Sequence, residues 1–197
     1  MPDHPRLILA STSPYRRQLL ERLRLPFEIA SPDFDEAAPG SMPVKQLVKH
    51  NTLGKARSMA DKNPEAWVIG SDQLAVCGDK VLGKSGNFEA ACAQLSRLSG
   101  KSVDFLTGLA ILKPSEENYE MIPFRVHFRN LTVDEIRAYV EAEKPWDCAG
   151  SFKSEGLGIS LFDRLEGDDP TALIGLPLIR LSHYLQPLTT TLSRLKT

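Results

Sequence analysis

The chain has 197 residues, with 24 lysines and arginines against 25 aspartates and glutamates, so its formal net charge is −1. That balance, with no polybasic run, argues against a nucleic-acid polymer or a charged membrane surface as partner. The length suits one domain, or two intimate lobes, with ample material for a core.

The first apolar run, Leu7 to Ala10, reads as a buried strand and is too short for a signal segment or a membrane span. It ends in Ser11-Thr12-Ser13, and Pro14 favours the first turn of a helix over 14–24, with Ser13 as its N-cap. A strand that passes through hydroxyls into a helix start gathers free N–H donors at the positive end of a dipole. Arg16 and Arg17 add guanidiniums and Tyr15 a ring, so the stretch suits an anion such as phosphate. An ordinary two-faced helix, with Leu19, Leu20 and Leu23 inward, accounts for the same residues. Neither a Walker loop nor G-x-G-x-x-G is present.

A strand over 27–30 leads into Asp33, Asp35 and Glu36, clustered oxygens that suit a hard cation such as Mg²⁺ or remain solvated. A helix over 43–60 carries Lys55. The strand 67–70 ends in Ser71, Asp72 and Gln73, which places a carboxylate where an open α/β sheet forms its crevice. Lys84 follows Gly83 in a turn, and a helix spans 88–98. Strands over 103–112 and 121–130, joined by a polar turn at 114–118, form a β-hairpin with Phe124, Val126 and Phe128 on one face. Thr132 and Glu135 make a capping box for a helix over 132–142.

The segment Ala149-Gly150-Ser151-Phe152-Lys153-Ser154-Glu155-Gly156-Leu157-Gly158 mixes glycines, hydroxyls and two opposite charges, as a ligand-binding loop does. A helix over 176–186 closes the pattern. Strands alternating with helices, followed by a long hairpin, predict an α/β fold with a mixed sheet and a cleft. The cysteines Cys77, Cys92 and Cys148 lack C-x-x-C spacing and read as small core residues of a reducing, cytoplasmic compartment. The four histidines show no zinc-ligand spacing.

In this order the blocks 7–17, Gly-Ser-Asp-Gln (70–73), Phe-x-Thr-Gly-Leu-Ala (105–110), Val-His-Phe-Arg (126–129), Cys-Ala-Gly-Ser-Phe-Lys-Ser-Glu-Gly (148–156), Leu-Glu-Gly-x-Asp-Pro (165–170) and Gly-Leu-Pro-Leu-Ile (175–179) run nearly end to end. Together they resemble the Maf family of nucleoside triphosphate pyrophosphatases, and within it the bacterial subgroup that hydrolyses 7-methyl-GTP. The resemblance implies one Maf-type domain of the Maf/ITPase-like kind, an elongated mixed sheet with flanking helices and two lobes around a central cleft. It also implies cleavage between the α and β phosphates with a divalent cation, Mg²⁺ or alternatively Mn²⁺ or Co²⁺.

Carried over by position, Asp72 corresponds to the catalytic proton acceptor, and Tyr15, Gln73 and Glu155 to base-specificity positions. Ser11, Ser13, Arg16, Lys55 and Lys84 fall on phosphate-facing positions, and Glu36 with Asp72 on the metal side. Two departures stand out: Ser85 follows Lys84 where the family usually has proline, and position 15 is Tyr where related sequences can carry Trp. Alternatives are a pyrophosphatase for dTTP, UTP or CTP, or a nucleotide-binding regulator of cell division. The oligomeric state, including a homodimer, is left open.

Overall fold

In the computed structural model, which describes residues 5–194, a seven-stranded mixed sheet forms the backbone of the fold. Strand β1 (Leu7–Ala10) pairs parallel with β2 (Glu28–Ala30) and with β3 (Trp67–Cys77). Helix α1 (Pro14–Glu21) connects β1 to β2, and α2 (Val44–Ala60) connects β2 to β3, as parallel neighbours require. Beyond β3 the pairing turns antiparallel, through β5 (Ser102–Lys113) and β6 (Glu116–Phe128) to β7 (Phe162–Glu166). The short β4 (Lys80–Leu82) folds back on the end of β3. Helices α3 (Phe88–Leu98), α4 (Val133–Glu143) and α5 (Leu178–Arg194) complete the chain.

Strand alternation sends successive side chains to opposite faces, and both faces are buried. Ile8, Ala10, Val68, Ala110 and Leu112 pack with Leu53, Ala56 and Met59 of α2. Leu7, Leu9, Ile69, Leu109 and Ile111 join the larger core with residues of α1, α3, α4 and α5. Phe124, Val126 and Phe128 are buried as their alternation predicts. The two caps read from the sequence are also formed. Ser13 Oγ accepts from the Arg16 amide, and Thr132 and Glu135 complete a reciprocal capping box.

Several elements differ from expectation. β3 runs eleven residues, past Asp72, because β5 pairs with it from Val68 to Val76 and supplies the hydrogen bonds that carry the strand on. The hairpin turn shrinks to Pro114 and Ser115, since pairing extends to Lys113–Glu116. The edge strand β7 is mostly charged or exposed outward, and only Phe162 anchors it; that composition hides it from a hydrophobic reading. Helix α5 starts two residues later than expected and continues through Pro187.

Two devices hold the segments that border the cleft. Phe152 packs edge-to-face with Phe105, Phe128 and Phe162 at centroid distances of 5.5, 5.4 and 5.0 Å, which fastens the 149–158 segment to the sheet. Asp169 is buried and its carboxylate accepts from the amides of Thr171, Ile179 and Arg180 and from the Thr171 hydroxyl. It thereby caps the start of α5 and fixes the 170–176 loop.

Candidate active site

Along β3, the pairing with β1 ends at Ile69 and the pairing with β4 begins at Ala75. Between them one edge of the strand is open while the other stays paired to β5, and Asp72 lies in that opening opposite Gly108. Helix α2 comes very near here. A Cβ on Gly70 would stand 2.7 Å from Ala56 Cβ, and one on Gly108 would stand 2.2 Å from Thr52 Oγ1. Only glycine allows that approach.

The approach lays Lys55 against Asp72. Lys55 Nζ is 2.7 Å from Asp72 Oδ1 and 2.9 Å from Glu36 Oε1. Lys55 and Asp72 retain only 7% and 6% of their exposure, so the pair is shielded from water, whereas Glu36 reaches solvent. The loop that delivers Glu36 is tied to α2. The Asn51 amide accepts from the Ala37 N–H at 3.0 Å and donates to its carbonyl at 3.3 Å. Phe34 also lies over Gly54, where a Cβ would clash with its ring.

Arg16 projects from α1 beside this pair. Its Nε donates to the Gly175 carbonyl at 2.9 Å and its Nη1 to Ser11 Oγ at 3.5 Å. Burial lowers the Arg16 pKa, while the charges of Asp72 and Glu36 oppose that shift; a guanidinium stays protonated regardless. Arg17, expected as a second phosphate cation, turns away and pairs with Glu21 at 2.9 Å on the exposed face. One residue along a helix is a rotation of about 100°, so adjacent arginines cannot both face the cleft.

Gln73 is oriented by the capped loop. Its Nε2 donates to the carbonyls of Ala172 at 2.6 Å and Leu173 at 3.2 Å and to Thr107 Oγ1 at 2.8 Å. Those contacts occupy the amide N–H groups and fix the side chain with its Oε1 as the remaining acceptor. Lys84 is carried to the cleft by a bridge between its backbone and that of Ala149.

Across the cleft, the Tyr15 hydroxyl donates to Asp147 Oδ2 at 3.0 Å and lies 3.7 Å from Cys148 Sγ. Ser154 Oγ donates to Glu155 at 3.2 Å. Lys153 Nζ donates to the Glu143 carbonyl at 3.1 Å. The cavity that these groups surround has a volume of about 500 Å³. All ten residues given a role by the resemblance line it: Ser11, Ser13, Tyr15, Arg16, Glu36, Lys55, Asp72, Gln73, Lys84 and Glu155.

Beyond the apolar Pro32, Leu173 and Ile174, two lining residues able to do chemistry are not read from the sequence. Asp147 was passed over, and Cys148, expected in the core, stands half-buried on the cavity wall. The signal was their position directly before the glycine-rich segment. Cys77 and Cys92 are free thiols and likewise only partly buried.

The donor set suits a magnesium ion. Glu36 and Asp72 are two hard carboxylates in one cavity, and Mg²⁺ is commonly held by one or two carboxylates together with substrate phosphates. No group of three or more His, Cys, Asp or Glu able to hold a metal occurs among the described residues. Nor, among them, is any helix long and apolar enough to cross a membrane.

Fold and cavity together define an α/β protein whose cleft is lined by both cations and carboxylates. The family model described as "Maf-like protein" matches residues 6–188, and the chain belongs to that family. A 7-methyl-GTP pyrophosphatase of Pseudomonas aeruginosa is 56% identical over 183 residues, covering 92% of this chain and 94% of that protein. One of Alkalilimnicola ehrlichii, given the same name, is 51% identical and covers 94% of each chain. Among solved structures, a HAM1 protein from Coxiella burnetii overlays with a TM-score of 0.48 at 16% identity, covering 97% of this chain and 100% of that one, too distant to bear on function.

Proposed function

We propose that this protein hydrolyses 7-methyl-GTP to 7-methyl-GMP and diphosphate. The observation that carries the reading is the shielded Lys55–Asp72 pair, with Glu36, opening into the same cavity as Tyr15 and Glu155. The activity named for relatives more than half identical over almost the whole chain supports the same substrate.

In this reading the triphosphate lies along Arg16, Lys84, Ser11 and Ser13, whose positive charge and hydroxyls offset its own charge. Asp72 accepts the proton of an attacking water, in the role of general base. Lys55 orients Asp72 and shares the charge that spreads over the phosphoryl oxygens as the bond to diphosphate breaks. Glu36 and Asp72 would hold Mg²⁺, which when bound neutralises phosphate charge.

At the other end the base stacks on Tyr15, and Glu155 accepts from its Watson–Crick N–H groups. Methylation at N7 makes guanine cationic, which an aromatic face favours. A cytoplasmic setting, where free thiols persist, completes the proposal.

Product analysis tests the reaction. Equimolar 7-methyl-GMP and diphosphate are expected; 7-methyl-GDP and phosphate would refute the assignment.

A further inference from the structure

The carboxylates around the cavity fall into two kinds. Asp72 and Glu36 are both ion-paired with Lys55. Asp147 and Glu155 form no ion pair among the described residues. The hydrogen bonds to the Asp147 side chain come from neutral groups, the Tyr15 hydroxyl at 3.0 Å and the Cys148 thiol at 3.5 Å. Lys153 is close enough to act on Asp147, but its ammonium is drawn to Glu143, 3.1 Å from the carbonyl and 3.9 Å from Oε1.

Partial burial raises the Asp147 pKa, yet the hydrogen bonds from Tyr15, its own backbone and Cys148, together with the nearby charge of Lys153, outweigh it and leave the group below the usual carboxylate range. Burial, with help from Cys148 and Asp147, holds the Tyr15 hydroxyl well above its ordinary value. At neutral pH this trio therefore carries one negative charge, on Asp147. A bare carboxylate repels a triphosphate, and it helps only if the ligand is positive at that end.

We infer that Asp147 is a specificity-determining residue that acts through Tyr15, fixing its ring by the hydroxyl bond and biasing the cavity toward a cationic, N7-methylated purine. A phenol that donates to a carboxylate has an electron-richer ring and so a stronger face for a cation. The carboxylate also attracts the cation directly. The inference rests on the proposed substrate.

The test measures kcat and KM for 7-methyl-GTP and GTP with the wild type, Asp147→Asn, Asp147→Glu and Tyr15→Phe. Asp147→Asn should raise KM for 7-methyl-GTP about five- to ten-fold and should not raise KM for GTP, which no longer meets the repelling charge. Asp147→Glu should restore most of the preference, and Tyr15→Phe should lose a smaller part of it. An unchanged ratio of kcat/KM values in Asp147→Asn, or an equal loss on both substrates, would overturn the inference while leaving the proposed substrate standing. A wild type without preference for 7-methyl-GTP over GTP would overturn both. Asp147 is exposed and asparagine is isosteric, so folding is expected to survive; a melting curve on each variant verifies it.

Discussion

Lys55 and Asp72 meet at 2.7 Å with both side chains more than nine-tenths buried, at the single stretch of β3 where one edge is unpaired. The pair ties the open strand to α2, and the same contact sets the reacting carboxylate beside a cation.

Asp72→Asn keeps the shape of the side chain and removes its ability to take a proton. We expect kcat to fall by about 10²- to 10⁴-fold with a smaller change in KM. Steady-state kinetics on the purified variant check this, and wild-type turnover would refute the role of general base.

Lys55→Met would leave Asp72 and Glu36 near one another with no ammonium between them. Removing one member of a buried pair costs about 3–5 kcal/mol. For a chain of this size that corresponds to a melting temperature lower by roughly 6–20 °C. A thermal scan measures it, and an unchanged melting temperature would contradict the structural part of the pair's role.

Gln73 gives a different kind of test, because its amide donates into two backbone carbonyls of the loop capped by Asp169. Gln73→Glu would bring carboxylate oxygens against those carbonyls, at a cost of about 1–3 kcal/mol. Denaturant titration of the variant should show that loss, together with weaker selectivity among bases.

Cys148 stands on the cavity wall with its thiol pushed up to about 11, by burial first and by Asp147, against the opposing contact with the Tyr15 hydroxyl. Between the ordinary thiol value and about 11 the folded chain holds a proton that the unfolded chain releases, so this group's stabilisation is complete below pH 8 and lost above about 11. The reactive form is the thiolate, so alkylation of Cys148 by iodoacetamide should be slow at pH 8 and climb only toward pH 11. Mass spectrometry of the labelled peptide measures this; fast labelling at pH 8 would contradict it.

Much of the frame was legible where local chemistry decides the outcome. Ser13 and Thr132 cap their helices because a hydroxyl before a helical stretch has an orphan amide to satisfy, whatever surrounds it. The hairpin was readable from Phe124, Val126 and Phe128, since burial of one face writes period-two alternation. The length of β3 was not readable, because Ser71, Asp72 and Gln73 look like a strand end and are kept in the strand by pairing with distant β5. The gathering of Tyr15, Asp72, Lys84 and Glu155 around one cavity came from motif resemblance, as no local rule joins residues so far apart. For Asp147 the only local mark was its place just before the glycine-rich segment; its partner Tyr15 lies 132 residues away.

Tyr15→Ala removes the ring on which the base is proposed to stack. The preference for 7-methyl-GTP over GTP should drop by more than turnover of GTP itself, and an unchanged ratio would refute stacking. Competition kinetics with both substrates in one reaction read that ratio directly.

The proposed substrate stands or falls on kcat/KM for 7-methyl-GTP, GTP, dTTP, UTP and CTP, measured with this chain and Mg²⁺. The highest value is expected for 7-methyl-GTP, with GTP and the pyrimidine triphosphates well below it. Equal values on all five, or a maximum on dTTP, UTP or CTP, would contradict it.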